Sequence, residues 1–131
     1  MKVKSKAAMK EPILILLIKA VILMAVPAWA HHSPAAFDPN IEVSITGSVT
    51  ELAWTSPHAR LYVDVVQEDG SVVNWNFELP SPVGLMRKGW RRKDLAPGDT
   101  VSVIGIRAKA HPSIAIADAI LDAEGNPVFS N

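Results

Sequence analysis

The sequence predicts a small all-β domain with one short helix, a five-stranded OB-fold-like barrel that follows a cleaved signal peptide. Three observations carry this. Two runs of apolar–polar alternation flank a hairpin turn at Glu68-Asp69-Gly70, a helix start at Ser81-Pro82 follows the second run, and a long strand with an early glycine, Gly47, precedes the first. Three strands, a helix and two more strands is the OB order, whose first strand must coil to pair with both halves of the barrel. An immunoglobulin-like sandwich would need about seven strands and no central helix.

Residues 1–30 read as a secretory signal. Lys2, Lys4, Lys6 and Lys10 make a positive start, and Ile13 to Ile18 with Ala20 to Val26 form an apolar core interrupted by Lys19. Ala28-Trp29-Ala30 offers small residues at both positions that signal peptidase requires. The stretch is long enough to span a bilayer, but Lys19 and two prolines weaken it as a permanent anchor. Cleavage after Ala30 makes His31 the first residue, residues 31–41 an extended arm, and residues 42–131 the folded domain. Val43 to Trp54 is the first strand, with Gly47 marking a bulge or sharp coil. Thr55-Ser56-Pro57-His58 is a turn. From Arg60 to Val66, the apolar Leu61, Val63 and Val65 alternate with Tyr62 and Asp64. From Val72 to Leu79, Val73, Trp75 and Phe77 alternate with Asn74, Asn76 and Glu78. Ser81 as cap and Pro82 at the first helical position open a short helix over about residues 81–88, which Gly89 ends. Pro97-Gly98-Asp99 turns into a strand from Thr100 to Lys109 with Val101 and Val103 on one face. The last strand runs from Ser113 to Asp122 with Ile114, Ile116 and Ala119 apolar, and Pro127 to Phe129 is a short tail.

Six segments carry a resemblance: His31-His32-Ser33, Gly47-Ser48-Val49-Thr50, Trp54-Thr55-Ser56-Pro57-His58, Asn74-Trp75, Arg87-Lys88-Gly89-Trp90 and Pro97-Gly98-Asp99-Thr100-Val101. With them the chain resembles a family of small exported bacterial proteins known only as a domain of unknown function. Ser56 stands where that family commonly has asparagine, and both residues make side-chain turns. The resemblance implies an OB-like fold and a periplasmic or secreted address, and it implies no biochemical activity.

The chain has 13 basic and 13 acidic residues, but five lysines and one glutamate fall in residues 1–30. Residues 31–131 keep eight basic and twelve acidic residues, a formal charge of −4. That balance is expected to exclude a nucleic-acid partner, whose binding rests mainly on phosphate neutralisation. Membrane contact is expected only through the signal segment. With no cysteine there is neither a disulfide framework nor a thiolate metal site. Enzyme signatures are missing too: no Gly-x-Ser-x-Gly elbow and no phosphate loop before a helix. Asp64 and Glu78, on the polar faces of neighbouring strands, read as solvated charges.

The chemistry-bearing candidates are histidines and aromatic rings. A mature His31 can chelate through its amino group and ring nitrogen, and a third nitrogen from His58 or His111 would complete a site that suits Cu(II). His58 and His111 each lie in a turn beside a proline, in loops that commonly share one side of an OB face. The arrangement resembles the histidine brace of copper-dependent polysaccharide monooxygenases and periplasmic copper carriers at its first residues only. Trp54, Tyr62 and Trp90 are candidates for a ligand-binding face, whereas Trp75 is in phase with the core. Arg87, Lys88, Arg91, Arg92 and Lys93 surround Trp90 and read as the solvated face of the helix and its following loop rather than an anion-binding patch. The expected function is an exported, non-enzymatic binding module for an unknown small ligand or protein. The alternative is a periplasmic copper-binding protein using His31 with His58 or His111, with a copper-dependent oxidase the least favoured form.

Overall fold

A computed structural model describes residues 34–131. The expected signal segment, its cleavage site and His31 lie outside the described residues. One 3-10 turn, Pro34–Ala36, leads into β1 (Phe37–Ala53), β2 (Arg60–Val66), β3 (Val72–Glu78), α1 (Pro82–Arg87), β4 (Thr100–Ala108), β5 (Ile114–Leu121) and β6 (Pro127–Ser130). β1 pairs antiparallel with both β2 and β4, β2 with β3, and β4 with β5. A parallel pairing of β3 with β5 closes these five strands into a ring in the expected OB order. No helix among the described residues is long and apolar enough to cross a membrane.

The strand that serves both halves is β1. Its first part pairs with β4 from Glu42 opposite Ile106 to Ser48 opposite Thr100, and its last part with β2 from Ser48 opposite Asp64 to Ala53 opposite Arg60. Gly47 sits at this handover, where an added Cβ would lie 2.3 Å from the carbonyl oxygen of Asp64. The expected coil is there, and bare backbone is what lets β2 come so near. Residues 37–41 of the expected arm already belong to β1: Phe37 pairs with Ala108, and the following residues bulge out before pairing resumes at Glu42. Asp38 shapes that bulge by accepting the Asn40 N–H at 3.0 Å.

Alternation places Leu61 and Val63 of β2, Phe77 of β3 and Val101 and Val103 of β4 in the core with no exposed surface. At the β2–β3 hairpin Gly70 takes a φ of +82°, which only glycine adopts without strain. Ser81 caps α1 by accepting the Gly84 N–H at 3.1 Å, and Leu85 carries the helix into the core. A fully buried leucine contributes about 2–3 kcal/mol.

Two expectations change at the C-terminal end. The inward residues of β5 are Ala115, Ala117 and Ile120, while Ile114 and Ile116 are only half-buried on the outside. Closing the ring forces backbones together here: a Cβ on Gly105 would lie 2.1 Å from the Ile116 carbonyl oxygen. Small residues therefore face inward, and a register shift at Ile104/Gly105 brings Ile120 rather than Ala119 into the core. The expected tail is a sixth strand, β6, paired with β5. Trp90 holds it, being only 5% exposed, packed edge-on against Phe129 at 5.5 Å and donating its indole N–H to the Val128 carbonyl. Proposed from sequence as a ligand-face ring, Trp90 is instead a packing residue.

Candidate functional site

The register of β1, β2 and β3 builds three outward-facing rows. Ala53, Arg60 and Glu78 form the first, Glu51, Tyr62 and Asn76 the second, and Ser48, Asp64 and Asn74 the third. Side chains tie the rows together. Arg60 donates from Nη1 to Asn76 Oδ1 and from Nη2 to Glu78 Oε2, each at 3.1 Å. Asn74 Nδ2 donates to Asp64 Oδ1 at 2.7 Å and to Thr50 Oγ1 at 3.3 Å. Glu78 is only 7% exposed, so a charge read as solvated is in fact buried and paired. It also stands in a different row from Asp64, so the two carboxylates do not form a pair.

The β1–β2 loop closes one end of this face. Its Ser56–Pro57 bond is cis. His58 Nδ1 donates to the Leu79 carbonyl at 3.2 Å and lies 3.7 Å from Glu78 Oε1. A cleft of about 520 Å³ adjoins the loop, lined by Glu51, Ala53, Trp54, Thr55, Arg92 and Leu95 among others. Glu51 and Ala53 are also members of the second and first rows, so the cleft and the polar face are continuous. Trp54 and Tyr62 are both half-buried: Trp54 lines the cleft and packs against the core, and Tyr62 stands opposite Glu51 in the second row.

The two described histidines are kept apart. The Ser113 carbonyl accepts the Asn76 N–H at 3.0 Å, which places the β4–β5 loop beside the middle of β3. His58 sits three residues further along at Leu79, about 10 Å at the rise of a strand, and β5 runs parallel to β3, so His111 lies still further back. His111 is exposed and shares its surroundings with Arg107 and Lys109. Among the described residues no group of three histidine or acidic side chains is placed to hold a metal ion.

A profile of the family of unknown function DUF6152 matches residues 20–118, most of the chain. This chain belongs to that family. Membership in DUF6152 agrees with the resemblance read from the six segments and brings no activity with it. A comparison with curated proteins gives no match. Among solved structures, a DUF6152 chain of this sequence is similar to Rim1, a mitochondrial single-stranded DNA binding protein from S. cerevisiae, with 14% identity, a TM-score of 0.48, and coverage of 70% of this chain and 96% of that one. The expected exclusion of nucleic acid is corrected by that neighbour. Net charge is a sum over the domain and does not report the field at one face.

The basic run of this DUF6152 chain divides in two. Lys88 reaches the Ser130 carbonyl at 3.3 Å and lies 5.6 Å over the Phe129 ring, tying the end of α1 to β6, and Arg91 donates to the Met86 and Trp90 carbonyls, closing the turn after α1. Arg87, Arg92 and Lys93 are exposed, and Arg92 lines the Trp54 cleft. Sequence reasoning missed Arg60 and Asn76. The signal was present: counting back from the Asp69-Gly70 turn puts Arg60 opposite Glu78 and Tyr62 opposite Asn76.

Proposed function

We propose that the protein is an exported, non-enzymatic binding module whose ligand lies across the polar rows of β1, β2 and β3 and reaches the Trp54 cleft. The observation that carries this is the Arg60–Glu78–Asn76 network, in which the buried Glu78 carboxylate and the Asn76 amide fix a part-exposed guanidinium on the strand face beside Tyr62. Groups already held in place lose little entropy when a ligand binds. Planar polar side chains of this kind hydrogen-bond neighbouring hydroxyls, and the Tyr62 and Trp54 rings offer flat surfaces for the C–H face of a sugar. The ligand class is therefore a polyhydroxylated molecule such as an oligosaccharide. Amide-resolved NMR titration with cello- and chito-oligosaccharides, beside a dT oligonucleotide, tests it. Shifts confined to residues 48–64 and 74–78, lost in Arg60→Met, are expected. Shifts with the oligonucleotide alone would overturn the ligand class, and no shifts with any probe would overturn the site. The exported address rests on the pattern in residues 1–30, and the intact mass of the processed protein checks it.

Copper binding is the second reading, and one observation favours it. Lys109 N–H donates to the Ala36 carbonyl at 2.9 Å, so the segment that follows His31 is tied beside the loop carrying His111 and not beside His58. Against it, a cupric ion there would meet Arg107 and Lys109 as like charges. Calorimetric titration with Cu(II) of a chain beginning at His31, and of one with an extra leading residue, decides. Equal weak binding by both would end this reading.

A further inference from the structure

On β4, the residues of inward parity are Val101, Val103, Gly105 and then Arg107, where the strand reaches the rim of the ring. The Arg107 Nε is buried and has no hydrogen-bond partner. Leaving a charged N–H unpaired in such a place is costly, and native structures rarely do so without a reason. The side chain lines a pocket of about 140 Å³ with Lys109, His111, Ala108, Ala110 and Pro112. No carboxylate lines it, and both ion pairs found among the described residues belong to Glu78. Two basic side chains and an imidazole therefore line one small space in a domain whose acidic residues outnumber its basic ones.

The pocket wall is fixed before anything binds. Lys109 N–H is held by the Ala36 carbonyl at 2.9 Å, and the Ser113 carbonyl at the far end of the loop is held by the Asn76 N–H at 3.0 Å. Its volume is that of roughly four or five waters of liquid. That is room for one compact ion. Arginine presents a planar fork to oxyanions and lysine a point charge.

We propose that Arg107, Lys109 and His111 form an oxyanion site that takes one phosphate group. Donors on three separate side chains suit the several oxygens of a tetrahedral anion better than the two coplanar oxygens of a carboxylate. The site is independent of the polyhydroxyl reading of the β1–β2–β3 face. The phosphate is either the free ion or the ester end of a small molecule, and the test separates them.

The test is NMR titration of the full chain with inorganic phosphate, glycerol 3-phosphate and acetate at constant ionic strength. Saturable shifts at residues 107–113 with phosphate are expected, several-fold stronger than with acetate. Tighter binding of glycerol 3-phosphate marks the ester as the source, and tighter inorganic phosphate marks the free ion. Lys109→Ala, an exposed change that leaves folding intact, is expected to weaken binding by about fivefold, the scale of one lost surface charge pair. Arg107→Lys keeps the charge but loses the fork and is expected not to restore wild-type affinity. Equal response to phosphate and acetate would overturn the proposal. So would shifts centred on residues 87–93, or unchanged affinity in Lys109→Ala and His111→Ala together.

Discussion

Arg60→Met removes the guanidinium that faces Glu78 while keeping a side chain of similar reach. At 3.1 Å the pair's gross attraction is about 5 kcal/mol with an effective dielectric constant near 20. Breaking a buried pair from one side costs roughly 3–5 kcal/mol, because the remaining charge is stranded. The Glu78 side chain is 10% exposed, but that of Arg60 is 28% exposed, so water already offsets part of the attraction. The expected loss is therefore about 2 kcal/mol, or a fall in Tm of roughly 8–15 °C for a domain of this size. Urea denaturation with an unchanged m-value measures it. Glu78→Gln should cost less, since the amide keeps an acceptor for Arg60, and the double variant should be less destabilised than the two single changes added. Arg60→Met within about 0.5 kcal/mol of the parent, or strictly additive changes, would refute the idea that Glu78 depends on Arg60.

Gly105→Ala and Gly47→Ala drive a methyl group into the carbonyls of Ile116 and Asp64, and each is expected to cost about 3 kcal/mol in urea melts; a stable Gly105→Ala protein would rule out the close approach. Trp90→Phe keeps a ring against Phe129 but loses the bond to Val128, so a loss of about 1 kcal/mol and faster hydrogen exchange in β6 are expected, while unchanged exchange would free β6 from Trp90. The Asp69 carboxyl lies below its ordinary 3.8 chiefly because the Ser71 hydroxyl bonds it, and the Asp122 carboxyl chiefly because the Asn126 backbone N–H does. A carboxyl lowered on folding lends stability that is complete above 3.8 and lost as pH falls through the lowered value. Asn at both positions is therefore expected to flatten the acid limb of the stability curve below about pH 4, and an unaltered limb would show that these turns contribute nothing.

What was legible in the sequence is what neighbours in the chain decide. The β2–β3 hairpin follows from alternation around Asp69-Gly70, and the helix follows from Ser81-Pro82. Gly47 announced a strand that must serve two sheets. What escaped depends on partners far away in the chain. Nothing near Ile114 and Ile116 shows that ring closure will admit only alanine beneath them. The burial of Glu78 depends on Arg60 across a hairpin and on His58 from another loop. Trp90 looked like a turn-flanking ring because its acceptor, Val128, lies in a strand too short to show a period. The same holds for the pocket: Arg107 continues the inward series of β4, but only the paired sheet shows that its Nε finds no partner.

The pairing of Phe37 with Ala108 has a kinetic consequence. A chain emerging from its N-terminus can zip β1, β2 and β3 into a meander, yet Val49, Leu61 and Val63 on its inner face have no cover until β4 and β5 exist. Distant pairings of this kind make folding slow compared with local ones. A fragment stopped before residue 100 would present an uncovered apolar sheet whose β1 edge invites another copy. A chain built this way can close its ring only after β4 and β5 have been made.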